Sequence, residues 1–333
     1  MGGRFPTKRV LVGLTVVGLL AGCATPTVTT TLHVGSSHVG SSPYDAAIDQ
    51  TGNLWVTDRT DGTLWRIDAA TNRVEEGVPL SLSGRADPVS IAFGDGSLWV
   101  AANASDGSGQ SASAWLLRID PGSGKQVAAI PIGVGPSVAF GAGAVWATSL
   151  GGNPDTSQLN LVRIDPTSNR VVATIPVVCP CSVAADETAV WVAGPGSVMR
   201  IDPATNRKVA EVGLPPEVNM PEVAVGAGAI WVAYWGFPIR GGALTGHLVR
   251  IDPATNRIVA DIPVRGANGL AVGVDTVWIA TGRSVVRVDA RSNAVVSQVM
   301  ESLAVGVDGV AVDEHTVWAW STTGSDAVWR IAY

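Results

Sequence analysis

Reactive side chains are sparse in this 333-residue chain, and their spacing narrows the chemistry open to it. Cys179-Pro180-Cys181 is the tightest pair. Two thiols one residue apart allow three states: a disulfide, strained across so short a loop and readily reduced; a free pair; or a soft-metal site suited to Cu(I). In an oxidising compartment the disulfide is the expected state. His33, His38, His247 and His315 have no metal-ligand spacing among them, and His38 and His247 stand nearest the variable loops. No nucleophile elbow, phosphate loop or zinc pattern occurs. No catalytic residue, metal site or cofactor is therefore assigned. What stands out instead is the stretch YWGFPIRGGALTGH (234–247), where Tyr234, Trp235, Phe237 and Arg240 share a loop whose composition is that of binding hot spots.

The N-terminus sets the compartment. Arg4, Lys8 and Arg9 precede an apolar run from Val10 to Leu20, too short for a good membrane span and laid out as a secretory signal. Leu20-Ala21-Gly22-Cys23 resembles the lipobox of bacterial lipoproteins. That resemblance implies cleavage before Cys23 and a diacylglycerol on its thiol, and two acyl chains suffice for stable anchoring. The domains expected are a signal peptide (1–22), a lipidated tether (23–27) and a globular body (28–333). Removing the three basic residues of the signal makes a chain of net charge −6 more acidic still, so nucleic acid is not an expected partner.

The body is built by repetition. An apolar residue followed by Trp recurs at Trp55, Trp99, Trp146, Trp191, Trp231, Trp278 and Trp318, 40–47 residues apart. Each pair is followed by an R-[IV]-D run, or by the closing RIAY, and RIDPATNR appears twice unchanged, at 200–207 and 250–257. Self-similarity at this period marks an array of supersecondary units. Residues 137–177 show the unit: SVAF, AVWAT, LVRI and RVVATIPV, four β-rich runs separated by turn residues. Asp-Pro-Ala-Thr-Asn is a tight connection between the third and fourth strands, Asn tolerating the left-handed conformation that ends it. The Trp residues are expected to pack sheet on sheet, not to serve as a ligand platform. The fold class is all-β: a seven-bladed β-propeller of four-stranded antiparallel blades. The last unit ends one strand short, so a strand near 28–34 is expected to complete it and close the ring, removing open edges. A parallel β-helix competes, but its coils are shorter.

RIDPATNRIVADIPV with AVGAGAIWVA resembles the YVTN-type seven-bladed propellers, and GNLWVTD resembles the streptogramin lyases of the virginiamycin B lyase type. The resemblance spans about residues 28–333 and specifies fold more than function. A lyase of that type would imply a His base, an acidic residue and magnesium, a combination that cannot be placed on this sequence.

In such a blade the long second-to-third-strand loops and the blade-to-blade connections share one face, and the repeated turns occupy the other. The loop face is expected to carry a polar rim with Arg85, Asp87, Arg265 and Asn268 beside the 234–247 loop. Alignment of the first strands puts Asp45, Ser90, Ser137, Ser182, Glu222, Gly269 and Gly309 at one equivalent position around the channel mouth. Two carboxylates and three hydroxyls suit bound water or a weak cation better than catalysis. The function expected is that of a monomeric, lipid-anchored extracytoplasmic module at the cell membrane, binding a protein, peptide or envelope glycan through its loop face. A lyase or lactone-opening enzyme working at the channel mouth is the alternative.

Overall fold

Runs of Val, Ile, Ala and Trp too short for helices, each stopped by a turn sequence, give strands throughout. The computed structural model describes residues 26–33, 42–75, 77–82, 84–105, 111–133, 137–150, 159–178, 182–216, 218–236, 245–299, 306–314, 316–322 and 327–333. They form seven antiparallel sheets with no helix among the described residues. Blade 5 is typical: Val218–Gly226, Ala229–Gly236, Thr245–Asp252 and Arg257–Pro263 pair in that order from axis to rim. In blade 1 the outer strand is broken into Arg73–Val74 and Val78–Pro79, both paired to Thr63–Asp68. The ring closes as the short seventh repeat requires. The strand Thr27–His33 pairs antiparallel with Ala327–Ala332, Thr27 opposite Ala332 and His33 opposite Ala327, and becomes the outer strand of blade 7.

Each of the seven hydrophobic clusters is shared by two successive blades, the last joining blade 7 to blade 1. The repeated Trp residues are at their centres and are essentially fully buried, as packing demands. Truncating one to Ala would cost about 3–5 kcal/mol.

The repeated turn does more than reverse the chain. In every blade the Arg of the R-[IV]-D run (Arg330 in the seventh) lies over the ring of that blade's Trp, 4.9–5.8 Å from its centre. From there it reaches into the next blade's turn. Arg163 donates to the Pro203 carbonyl (2.7 Å) and to Asn206 Oδ1 (3.2 Å), and Arg200 to Pro253 (2.7 Å) and Asn256 (3.1 Å). Arg330 closes the circle on Ala69 (2.8 Å) and Asn72 (2.6 Å). The Asn has two duties: it takes positive φ, 54–57° in five blades, and it accepts the neighbour's guanidinium. The exceptions show the dependence. Blade 2 has Gly124 at that position, φ 66°, and Arg66 of blade 1 turns to Glu75 of its own blade instead (3.1 Å). Arg287 faces blade 7, whose outer strand comes from the N-terminus without such a turn, and lies over the terminal Tyr333 ring (5.4 Å).

Asn206→Gly keeps the left-handed turn but removes the acceptor for Arg163. It should destabilise by about 1.5–3 kcal/mol, the worth of a hydrogen bond to a charged group, read from the denaturant midpoint; Asn206→Ala, which adds backbone strain, should cost more.

Candidate functional site

The first strands start at the axis, and the residues that open them form the predicted ring. Five of these side chains bridge to the next blade. Asp45 Oδ2 accepts the Ile91 N–H (3.0 Å), Ser90 Oγ that of Val138 (3.3 Å), Ser137 Oγ that of Val183 (3.1 Å), and Ser182 Oγ that of Val223 (3.2 Å). Glu222 accepts from the Leu270 N–H. The three serines thus act first as blade-to-blade staples.

The other two joints are made differently. A Cβ on Gly269 would fall 2.7 Å from the Asp308 carbonyl oxygen, and one on Gly309 would run into the Trp320 indole. Trp320 fills that space and donates its Nε1–H to the Tyr44 carbonyl of blade 1 (3.1 Å). Between blades 6 and 7, Asn268 Nδ2 donates to Asp308 Oδ1 (3.3 Å), whose other oxygen accepts from the Thr322 N–H (2.8 Å) and hydroxyl (3.0 Å). Asn268 Oδ1 is buried without a partner among the described residues.

Above this ring is a depression of about 620 Å³ on the loop face, a ligand-sized volume. All seven ring positions line it, together with Tyr44, Trp235, Trp320, Met220, Asn268 and Asp308; its lining contains no Lys, Arg or His among the described residues. Burial pushes the Asp45 carboxyl above its ordinary range, opposed by the Ile91 and Ala46 N–H groups it accepts. Glu222 is pushed further, up to about 8, by burial first and by the negative charge of Asp45 second. Both carboxyls line the depression and are half-buried. Near neutral pH the pair can hold a proton on Glu222, releasing it when a positive charge arrives.

The predicted rim is partly assembled. Asp87 forms a two-pronged ion pair with Arg59 (2.7 and 2.8 Å), and the Arg59 guanidinium covers the Tyr44 ring at 4.5 Å. Arg85 donates to the Arg59 carbonyl (2.6 Å). Arg59 carries no signal in the sequence, since its short loop, DRTDG, is of ordinary turn composition. Arg265 is exposed and does not line the depression, whereas Asn268 does. Trp320 had a visible signal: it stands two residues after its blade's Trp, where the other six repeats have Thr or Ala.

The aromatic loop is not one patch. The second strand of blade 5 runs on to Gly236, so strand alternation sends Tyr234 and Trp235 to opposite faces. Tyr234 is 1% exposed in the core between blades 4 and 5, stacked on His247 (5.4 Å), whose Nδ1 pairs with Asp261 (2.7 Å). This corrects the expectation of an exposed Tyr234, and it places His247 within blade 5 and off the depression's lining. Trp235 does line the depression. Phe237, Arg240, Cys23, Cys179 and Cys181 lie outside the described residues.

A family model described as a repeat of unknown function (DUF6923) matches residues 22–191. The search of curated proteins found no match to the sequence. Among solved structures, the chain resembles hydrazine synthase of Kuenenia stuttgartiensis (TM-score 0.72, 17% identity, 91% of this chain and 98% of that one). It also resembles virginiamycin B lyase of Staphylococcus aureus (0.69, 17%, 91% and 99%) and a chain of the mitotic checkpoint complex (0.70, 11%, 100% and 99%). At such identities the likeness is one of fold.

Because the folded Glu222 keeps its proton up to about pH 8 while the unfolded chain loses it near 4.5, its contribution to stability falls as pH rises through that window and levels off above it. The slope from this one group is at most about 1.4 kcal/mol per pH unit. Glu222→Gln should therefore gain stability relative to the parent as pH is raised from 5 to 8, checked by chemical denaturation at each pH; an unchanged difference would mean that Glu222 is not held protonated.

Proposed function

Since this chain belongs to the family described as a repeat of unknown function (DUF6923), its role has to be argued from its own residues, and we propose that it is a lipid-anchored, extracytoplasmic binding module at the cell membrane. The ligand is a protein, peptide or envelope glycan that inserts a cationic group, an amine or guanidinium, into the central depression. One observation carries this reading: a ligand-sized depression with Asp45, Glu222 and Asp308 in its lining, aromatic walls from Tyr44, Trp235 and Trp320, and no basic side chain among its described lining residues. Carboxylates and aromatic faces both attract a desolvated cation. The fold supports the reading in a general way, since propellers commonly serve as binding or scaffold modules.

A second reading rests on the near-neutral titration of Glu222. A carboxyl poised there is suited to general acid–base work, and virginiamycin B lyase has the same fold. A carbon–oxygen lyase or lactone-opening activity would then be lost in Glu222→Gln. Among the described residues no histidine lines the depression to act beside it, which favours the binding role.

Titration calorimetry with lysine- and arginine-containing peptides and with amino-sugar glycan fragments tests the proposal. Binding should weaken at least tenfold in Trp235→Ala and should strengthen as pH rises toward 8, with a released proton read as a binding enthalpy that varies with the ionisation heat of the buffer. Cationic and neutral ligands binding alike, or Trp235→Ala binding as the parent does, would remove the depression as the site.

A further inference from the structure

The face on which the N-terminus emerges has a consequence for how the molecule sits. Thr27 is opposite Ala332, at the end of the third strand of blade 7, where the chain reaches the face of the repeated turns; His33 is at the loop-face end. The chain therefore enters the body at the turn face, opposite the depression. Cys23 is three residues before Pro26, so a lipid on Cys23 would hold that face within about 11 Å of the acyl glycerol.

The same margin of the body is suited to an interface with lipid. Val127, Val172, Val209, Val259 and Val296 occupy one equivalent position in the outer strands of blades 2–6, close to the turn, and each is 52–57% exposed. Val28, Val171, Ile258 and Val295 beside this level are 39–48% exposed. Strand propensity alone does not require them, because Thr would serve it on a wet surface. The belt breaks at blade 1, where Glu75 stands and binds Arg66. Next to the valines, Arg73, Lys125, Arg170, Arg207 and Arg257 open the outer strands of blades 1–5. Their long stems can lie along apolar surface while their charges reach phosphate. Apolar side chains bordered by Lys and Arg are the pattern by which amphipathic elements lie in a bilayer interface. The turns of this face also carry Asp68, Asp120, Asp165, Asp202, Asp252 and Asp289, each accepting from a hydroxyl of its own turn, so the exposed valines and the anchor, not net charge, set the orientation.

We propose that the turn face and its valine belt are a docking surface for the bilayer that holds the anchor, so that the depression opens away from the membrane. The proposal rests on lipidation of Cys23, as in the functional reading above. The lipidated full chain, reconstituted in vesicles of phosphatidylethanolamine and phosphatidylglycerol, is compared by amide hydrogen exchange with the same protein in detergent. Exchange should slow several-fold at the turns and outer-strand starts, 166–172, 203–209 and 253–259, and stay unchanged at 218–222 and 267–270. Val172→Glu/Val259→Glu/Val296→Glu, at exposed positions, should abolish that slowing while the lipid keeps the protein on the vesicles. Slowing at the loop face, or at neither face, overturns the docking geometry and leaves the anchor standing. An N-terminal peptide whose mass carries no lipid overturns both.

Discussion

One contact recurs at five of the seven joints of this ring: a guanidinium stacked on its own blade's Trp and hydrogen-bonded into the turn of the next. It couples three things a propeller has to solve together. The stack fixes the arginine over the buried indole, the Asn supplies the left-handed residue that ends the turn, and the bond between them sets the spacing of adjacent sheets. Arg330 reaching back to Asn72 makes the first and last blades neighbours by the same means. Where Gly124 removes the acceptor, the arginine before it folds back onto Glu75, so the interaction is local and separable blade by blade.

The chemistry of the ring changes where the repetition lapses. Around the axis, five joints are made by a side chain accepting the next blade's N–H, and three of them need only Ser. The two glycine joints, and the two joints made by carboxyls, give the depression its character. Gly309 admits Trp320, which joins Tyr44 and Trp235 as an aromatic wall, and Asp45 and Glu222 bring two acids within each other's field. The cost is repulsion and burial, met by keeping a proton on Glu222 through the neutral range.

Much of this could be read from the sequence because the repeat is explicit. Trp spacing gives the blade, the missing strand of the seventh repeat gives ring closure, and alignment of the first strands gives all seven channel positions by number. The limits have physical causes. Composition alone makes YWGF look like a surface loop, but the hydrogen-bond ladder of blade 5 extends two residues further and turns Tyr234 into the core. The arginines are invisible as joints because their partners lie 40 to 56 residues onward, and for the last Arg 258 residues back, a distance no local pattern encodes. Gly269 and Gly309 read as an absence of polar groups, whereas in space they are the room into which a neighbour fits.

The closing strand also determines how the molecule carries load. Residue 26 leaves at one face and the depression opens at the other, so any pull between the depression and the N-terminus would run lengthwise along Thr27–His33. The hydrogen bonds to Ala327–Ala332 then lie across the line of force and are strained together, as in a lap joint, instead of opening one after another. Blade 7, built from both ends of the chain, is by this geometry the blade that resists sliding and not the one that peels.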